Sequence, residues 1–212
     1  IGAPNYEKNY FEKLVDRLGI RGESINRLSP LPAAYDELSE LGKLFSNSIV
    51  VTGSEATEAK WITSLQLKPD IISIATHAVT LPGGKYQSLV LNSDLENDGF
   101  ITSEEISSTD LSGTQLVMLS ACNTADTEIV GYQQAFEGLA SSFIGSGTKN
   151  VLVTMWPVLD EAARDIATQM MASKRNSLSE RLQESMIELS TSEDDLKSQP
   201  IYWASFSLIG SN

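Results

Sequence analysis

The chain has 212 residues, 41% of them hydrophobic, which is enough for one domain with a substantial core and a short extension. Its 15 basic and 28 acidic side chains give a formal charge of −13, which disfavours nucleic acids and anionic membranes as partners because both require Lys and Arg. The single cysteine forms no internal disulfide, and no apolar run approaches the roughly 20 residues that span a bilayer. These totals favour a soluble protein of a reducing compartment, the cytoplasm.

The N-terminal part of the chain has an amphipathic pattern of its own. Apolar side chains recur at helical spacing over 5–18, which predicts a helix. An irregular connection that contains two prolines follows over 21–32. We therefore expect residues 1–30 to form a helical extension and linker, and residues 31–212 to form the compact domain.

From residue 33 onward, helical and strand patterns alternate. Amphipathic spacing predicts helices over 33–45, 55–65, 132–144, 160–172 and 178–190. Short apolar runs predict strands over 48–52, 71–75, 88–92, 115–121, 151–155 and 203–209. The inward face of the first helix is expected to carry Tyr35, Leu38, Leu41 and Phe45.

The connections between these elements are expected to be irregular. Glycine and proline predict a loop over 81–87, and the acidic stretch 94–106 has no clear period. Strands of near-continuous hydrophobicity that alternate with helices indicate an α/β fold with a mostly parallel sheet covered on both faces.

The only cysteine and the only histidine of the chain follow two of these apolar strands. His77 comes after strand 71–75, and Cys122 comes after strand 115–121. Functional groups gather at the carboxyl ends of parallel strands, and a histidine beside a cysteine can lower the pKa of the thiol or take its proton. The alternative is structural, because a free cysteine is often a small buried hydrophobe and a lone histidine a satisfied core residue.

Five segments, in this order along the chain, resemble the motifs of the CHAT domain family. They are Ala75–His77, Asp98–Ile106, Leu119–Thr124, Met155–Val158 and Tyr202–Phe206. The resemblance extends over about Leu31 to Asn212 and implies a caspase-like three-layer α/β sandwich with a mainly parallel central sheet. Members of this family are caspase-like cysteine peptidases, related to separase and often fused to tetratricopeptide repeats in bacteria. An upstream repeat or regulatory domain is therefore an expected partner.

The resemblance assigns roles to particular residues of this chain. It makes Cys122 the nucleophile and His77 the acid/base of an endopeptidase that cleaves a specific partner protein through a thioester and needs no cofactor. The backbone N–H groups of Ala78 and Cys122 are expected to hold the oxyanion. Ala78 stands where relatives commonly have glycine, and Asn123 stands where they commonly have glutamate.

Three further residues are candidates for the substrate pocket. Ser120 occupies a position where some relatives have an aspartate that holds a basic side chain, so a basic pocket is not expected here. Trp156 is a pocket wall by family analogy and a core aromatic by default. Asp160 resembles by position an acid that holds arginine in separase, but its propensity favours the N-cap of the helix over 160–172.

The segment 94–105 also fits most of a calcium-binding loop. The candidate ligands are Asp94, Glu96, Asp98, Ile101 and Glu105. Against calcium, the third loop position is glutamate, a strand rather than a helix precedes the loop, and the resembling family segment implies no metal. We therefore favour an acidic surface loop followed by a helical turn, with no metal ion.

The rival function comes from a different class of protein. A noncatalytic interaction module with the same fold, a pseudopeptidase or scaffold, would bind a partner through a sheet edge or a helix. The presence of both Cys122 and His77 favours the peptidase.

Overall fold

A computed structural model of the chain describes residues 1–4, 30–80, 87–120 and 132–210. Its helices are α1 (Pro32–Leu44), α2 (Glu58–Leu65), α3 (Ser103–Ser107), α4 (Tyr132–Gly145), α5 (Asp160–Ala172), α6 (Leu178–Ser190) and α7 (Pro200–Trp203). Its strands are β1 (Ile71–Ala75), β2 (Ala78–Thr80), β3 (Gln87–Val90), β4 (Phe100–Thr102), β5 (Leu116–Ser120), β6 (Asn150–Thr154) and β7 (Phe206–Gly210).

The larger of two sheets is mainly parallel, as the sequence predicts. Its strand order is β1-β5-β6-β7, with β1, β5 and β6 parallel and β7 antiparallel to β6. The smaller sheet, β2-β3-β4, is antiparallel and begins directly after His77. The chain thus places a small sheet beside the carboxyl end of β1.

Alternate residues of the central strands enter two different cores. In β5, Val117 and Leu119 pack with Phe143 of α4, whereas Leu116 and Met118 pack with residues of α5 such as Ile166. This alternation follows from the two-residue period of a strand, and it buries both faces of the sheet. With helices on each side, the molecule is a three-layer α/β sandwich, and the expected fold class is confirmed.

The strand predicted over 48–52 is wrong. The first residues of the chain lie beside β1 instead, with Gly2 paired to Ala75 and Pro4 paired to Gly53. The Ala3 N–H donates to the Ala75 carbonyl (2.7 Å), and the Gly2 N–H donates to the Val51 carbonyl (3.1 Å). A side chain at residue 2 could not fit, because a Cβ there would lie 1.9 Å from the Ala75 oxygen.

The acidic stretch 94–106 is more regular than the sequence suggests. It contains β4 and α3, and a capping box joins them, in which the Glu105 N–H donates to Thr102 Oγ1 (3.2 Å) and Glu105 Oε2 accepts from the Thr102 N–H (2.7 Å). The sequence also did not predict strand β2. The last strand starts later than predicted, because Pro200–Trp203 forms the short helix α7.

The inward face of α1 is also rotated from the prediction. Leu38 and Leu41 are buried as expected, but Tyr35 and Phe45 are 57% and 38% exposed. Glu37 takes an inward position and is 1% exposed.

Some expectations concern residues that the structure does not describe. The helix predicted over 5–18, most of the connection that follows it and most of the loop over 81–87 lie outside the described ranges. The boundary between residues 30 and 31 stays a prediction. Among the helices of the described ranges, none combines the length and apolarity that crossing a membrane requires.

Candidate functional site

Strands β1 and β5 end side by side at the carboxyl edge of the central sheet. Ala75 and Ser120, their last residues, are direct partners in the parallel register, and the Thr76 N–H donates to the Ser120 carbonyl (3.2 Å). His77 is two residues beyond Ala75, and Cys122 is two residues beyond Ser120 in the sequence. Cys122 and Asn123 belong to residues 121–131, which lie outside the described ranges.

His77 lies in the connection between β1 of the larger sheet and β2 of the smaller sheet. Its side chain is buried, with 1% of the residue exposed. Its carbonyl accepts a hydrogen bond from the Val90 N–H (2.9 Å), and the Thr76 hydroxyl donates to the Val90 carbonyl. The connection from β1 to β2 is thus fastened to β3 at two points, which fixes the backbone that carries the imidazole.

The backbone at Ala78 fits the role of an oxyanion donor. Because the Val90 N–H bonds to the carbonyl of His77, the Ala78–Leu89 pair is a non-hydrogen-bonded pair of the antiparallel ladder. The Ala78 N–H therefore points away from β3. Ala78 does not have a positive φ. An alanine in place of the glycine that is common at this position therefore causes no backbone strain.

Ser120 contacts a carboxylate that the sequence analysis did not single out. Its hydroxyl donates to Glu37 Oε1 (2.9 Å), and the Ser73 hydroxyl of β1 donates to the same oxygen (3.1 Å). Burial raises the pKa of Glu37 to about 7, and the two serine hydrogen bonds act in the opposite direction. The signal in the sequence was a glutamate on the same helical face as Leu38 and Leu41.

Asp160 is not the N-cap of its own helix. It is the first residue of α5, and Leu159 occupies the N-cap without a side-chain hydrogen bond. Asp160 Oδ2 instead accepts from the Ala33 N–H (2.7 Å) at the start of α1, whose own N-cap also lacks a side-chain bond. The carboxylate thus caps a neighbouring helix, which sequence spacing could not reveal.

The pKa of Asp160 depends both on its hydrogen bonds to α1 and on His77. Burial raises the pKa of Asp160 above its ordinary range. Hydrogen bonds from the α1 backbone and the charge of His77 act against that rise. The charge of Asp160 in turn contributes to the raised pKa of Glu37, after the larger effect of burial. The carboxyl end of β1 therefore lies beside one buried acid, Glu37, and one partly buried acid, Asp160.

Trp156 is exposed, so its interpretation as an ordinary core aromatic is wrong. It is 38% exposed and follows β6 at the same edge of the sheet as Ser120. The Ser205 hydroxyl accepts from the N–H groups of Met155 and Trp156 (3.0 Å each) and donates to the Trp156 carbonyl (2.9 Å). Ser205 lies within the Tyr202–Phe206 motif, but nothing in the sequence indicates that its hydroxyl bonds to the backbone that follows β6.

The carboxylates of the calcium-loop candidate are engaged by the local backbone. Asp94 accepts from the N–H groups of Ala59, Glu96 and Asn97 (3.0 to 3.1 Å). Burial alone would raise the pKa of Asp94, but these bonds hold it below its ordinary range. Glu105 caps α3, and within the described ranges no three His, Cys, Asp or Glu side chains converge as metal ligands. The helical turn that was expected after the loop is α3.

The fold, together with the residues at the carboxyl edge of its central sheet, defines the class of protein. The molecule is a caspase-like α/β sandwich with a mainly parallel sheet. A family model described as the CHAT domain matches residues 13–211, so the chain belongs to the CHAT domain family. This family has a caspase-like fold and often contains cysteine peptidases. A comparison with curated proteins found no match.

Proposed function

We propose that the chain is a cysteine endopeptidase that cleaves a specific partner protein through Cys122 and His77. The observation that carries the proposal is the register of β1 and β5. Ala75 and Ser120 are direct partners, and the proposed acid/base and nucleophile are each two residues further on. Equal offsets from paired strand ends favour a thiol and an imidazole within reach of each other.

The reaction proceeds in two balanced steps. The Cys122 thiolate attacks the carbonyl carbon of the scissile peptide, the C–N bond breaks, and His77 donates a proton to the leaving amine. Water then attacks the resulting thioester, His77 takes its proton, and the thiolate leaves as the carboxylic acid forms. The N–H groups of Ala78 and Cys122 stabilise the oxyanion in both steps.

The substrate pocket is proposed to lie at the same edge of the sheet. Ser120 and the exposed Trp156 line it, whereas Asp160 contributes charge from behind while it caps α1. The substrate is a protein, and an upstream repeat or regulatory domain controls access to the site, because caspase-like enzymes often need reordering of their loops for activity. The proposed place of action is the cytoplasm.

The decisive experiment compares cleavage by the parent protein with cleavage by its Cys122→Ala and His77→Ala variants. Each is incubated with a candidate substrate proteome, and new N-termini are identified by mass spectrometry. We expect a set of new termini with the parent protein and loss of that set in both variants. Thermal unfolding of the three proteins serves as the folding control. Identical termini from parent and Cys122→Ala protein would refute the proposal.

One observation favours the rival function, a noncatalytic interaction module. His77 is 1% exposed, and a histidine that stays buried cannot exchange protons with a substrate. The alkylation rate of Cys122 by a low-dose electrophile separates the two functions. A rapid reaction with a bell-shaped pH profile indicates an activated thiol, and a thiol that reacts only after unfolding indicates the module.

A further inference from the structure

A carboxylate lies beneath the end of the strand that leads to Cys122. Glu37 projects from α1, is 1% exposed, and accepts hydrogen bonds at one oxygen from Ser73 of β1 (3.1 Å) and Ser120 of β5 (2.9 Å). Both serines are themselves only partly buried. The carboxylate is therefore one side chain below the surface at the edge where the substrate would bind.

No ion pair within the described ranges involves this carboxylate. The acids that are paired there are Glu55, Asp165 and Glu184. The charge of Asp160 is close enough to affect Glu37 electrostatically, and it opposes the ionisation of Glu37. A buried carboxylate held mainly by two neutral hydroxyl donors gains most from a cation that approaches it.

We propose that Glu37 receives the cationic side chain, lysine or arginine, of the substrate residue that precedes the cut. This inference rests on the proposed function and names its substrate class. Sequence reasoning expects no basic pocket, because Ser120 carries no charge at the strand position two residues before Cys122. The fold brings an acid to that position from α1 instead, within hydrogen-bond distance of Ser120.

A purely structural role makes a different prediction for the same residue. If Glu37 only held α1 against β1 and β5, its replacement would lower the stability of the protein, but the residue would not select a ligand by charge. The test therefore needs ligands that differ only in charge. n-Butylguanidine mimics an arginine side chain, and n-butylurea has nearly the same shape without the positive charge.

The binding experiment uses the whole chain with Glu37→Gln and a control on the same helix, Glu40→Gln, where Glu40 is exposed. Calorimetry or NMR titration should show n-butylguanidine binding to the parent and the control alike, and binding to Glu37→Gln weaker by about thirtyfold. n-Butylurea should bind weakly to all three. Equal binding of n-butylguanidine to the parent and Glu37→Gln, or no preference over n-butylurea, would overturn the inference.

If Glu37→Gln does not fold, the pH dependence of n-butylguanidine binding to the parent protein still tests the inference. n-Butylguanidine stays charged at all relevant pH values, so its affinity should rise between about pH 5.5 and pH 8.5 as the carboxyl loses its proton. A flat pH profile would count against Glu37 as the binding group.

A cleavage experiment separates this inference from the proposed function. Peptides that differ only in lysine, arginine or alanine before the cut should be cleaved with a basic preference by the parent and by Glu40→Gln, and Glu37→Gln should lose that preference. Cleavage without a basic preference defeats the inference and leaves the peptidase standing. Glu37-dependent binding of n-butylguanidine without any cleavage defeats the peptidase and supports the cation site.

Discussion

A single hydroxyl shapes the turn that carries Trp156. Ser205 is fully buried and uses its whole hydrogen-bonding capacity, since it accepts from two backbone N–H groups and donates to one carbonyl. The N–H groups of Met155 and Trp156 and the Trp156 carbonyl, which follow β6, are therefore bonded by the residue that precedes β7. The position of Trp156 at the carboxyl edge of the central sheet depends on this contact.

Replacement of Ser205 by alanine should loosen this turn. The variant leaves the Trp156 N–H and carbonyl without the hydroxyl, and we expect a loss of about 1–3 kcal/mol in the free energy of unfolding. Urea denaturation measures the loss, and the indole N–H resonance of Trp156 should shift. Ser207→Ala is the matched control, because Ser207 lies on the same segment and is partly exposed. Equal losses in both variants would show that the hydroxyl does not matter.

At the scale of elements, α2 begins on two acceptors from different parts of the chain. Thr57 Oγ1 accepts from the Lys60 N–H (3.2 Å), and Asp94 Oδ2 accepts from the Ala59 N–H (3.0 Å). A carboxylate near a helix N-terminus also interacts favourably with the helix dipole. The acidic loop thus stabilises a helix 35 residues away along the chain.

Asp94→Ala should therefore destabilise the protein whether calcium is present or absent. We expect a loss of about 1 kcal/mol, as for a missing helix cap, and a much smaller effect for the control Glu96→Ala, whose side chain is exposed. Melting temperatures in calcium and in chelator make the measurement. A calcium-dependent rise in the parent that disappears in Asp94→Ala would instead restore the calcium-site hypothesis.

The elements that the sequence predicts best are those with a clear period and a local boundary. The helices over 160–172 and 178–190 and the strand over 71–75 agree with the structure, because their apolar spacing is regular. Strand β4 is only three residues long, and it is set by its pairing with β3. Such short strands depend on distant partners, so their own residues carry little signal.

At the scale of the whole molecule, the candidate site shows the same division. His77 and Cys122 each follow an apolar run in the sequence, and these runs form β1 and β5, so the sequence indicates both candidates directly. The carboxylate of Glu37 and the cap made by Asp160 arise only when α1 packs against β1, β5 and α5. No spacing along the chain contains that packing, which is why the acid beside Ser120 could not be predicted.

Two buried glutamates should make the stability of the whole molecule fall as the pH rises. Burial raises the pKa of Glu37 and of Glu58 from 4.5 to about 7, so the folded state binds more protons than the unfolded state between these values. The stabilisation is complete below about pH 4.5 and is lost as the pH rises through about 7.

Asp165, whose pKa is held low by Lys197, Arg164 and Tyr202 against the effect of burial, loses stabilisation only in stronger acid. We therefore expect the free energy of unfolding from urea titrations to be higher near about pH 5 than near about pH 7. Glu37→Gln should reduce this difference by about 2 kcal/mol, because its amide does not titrate, whereas Glu40→Gln should leave the difference unchanged. A Glu37→Gln protein with the parent's full pH dependence would show that Glu37 is ionised in the folded state throughout, and that its contacts with Ser73 and Ser120 stabilise the charge better than its burial suggests.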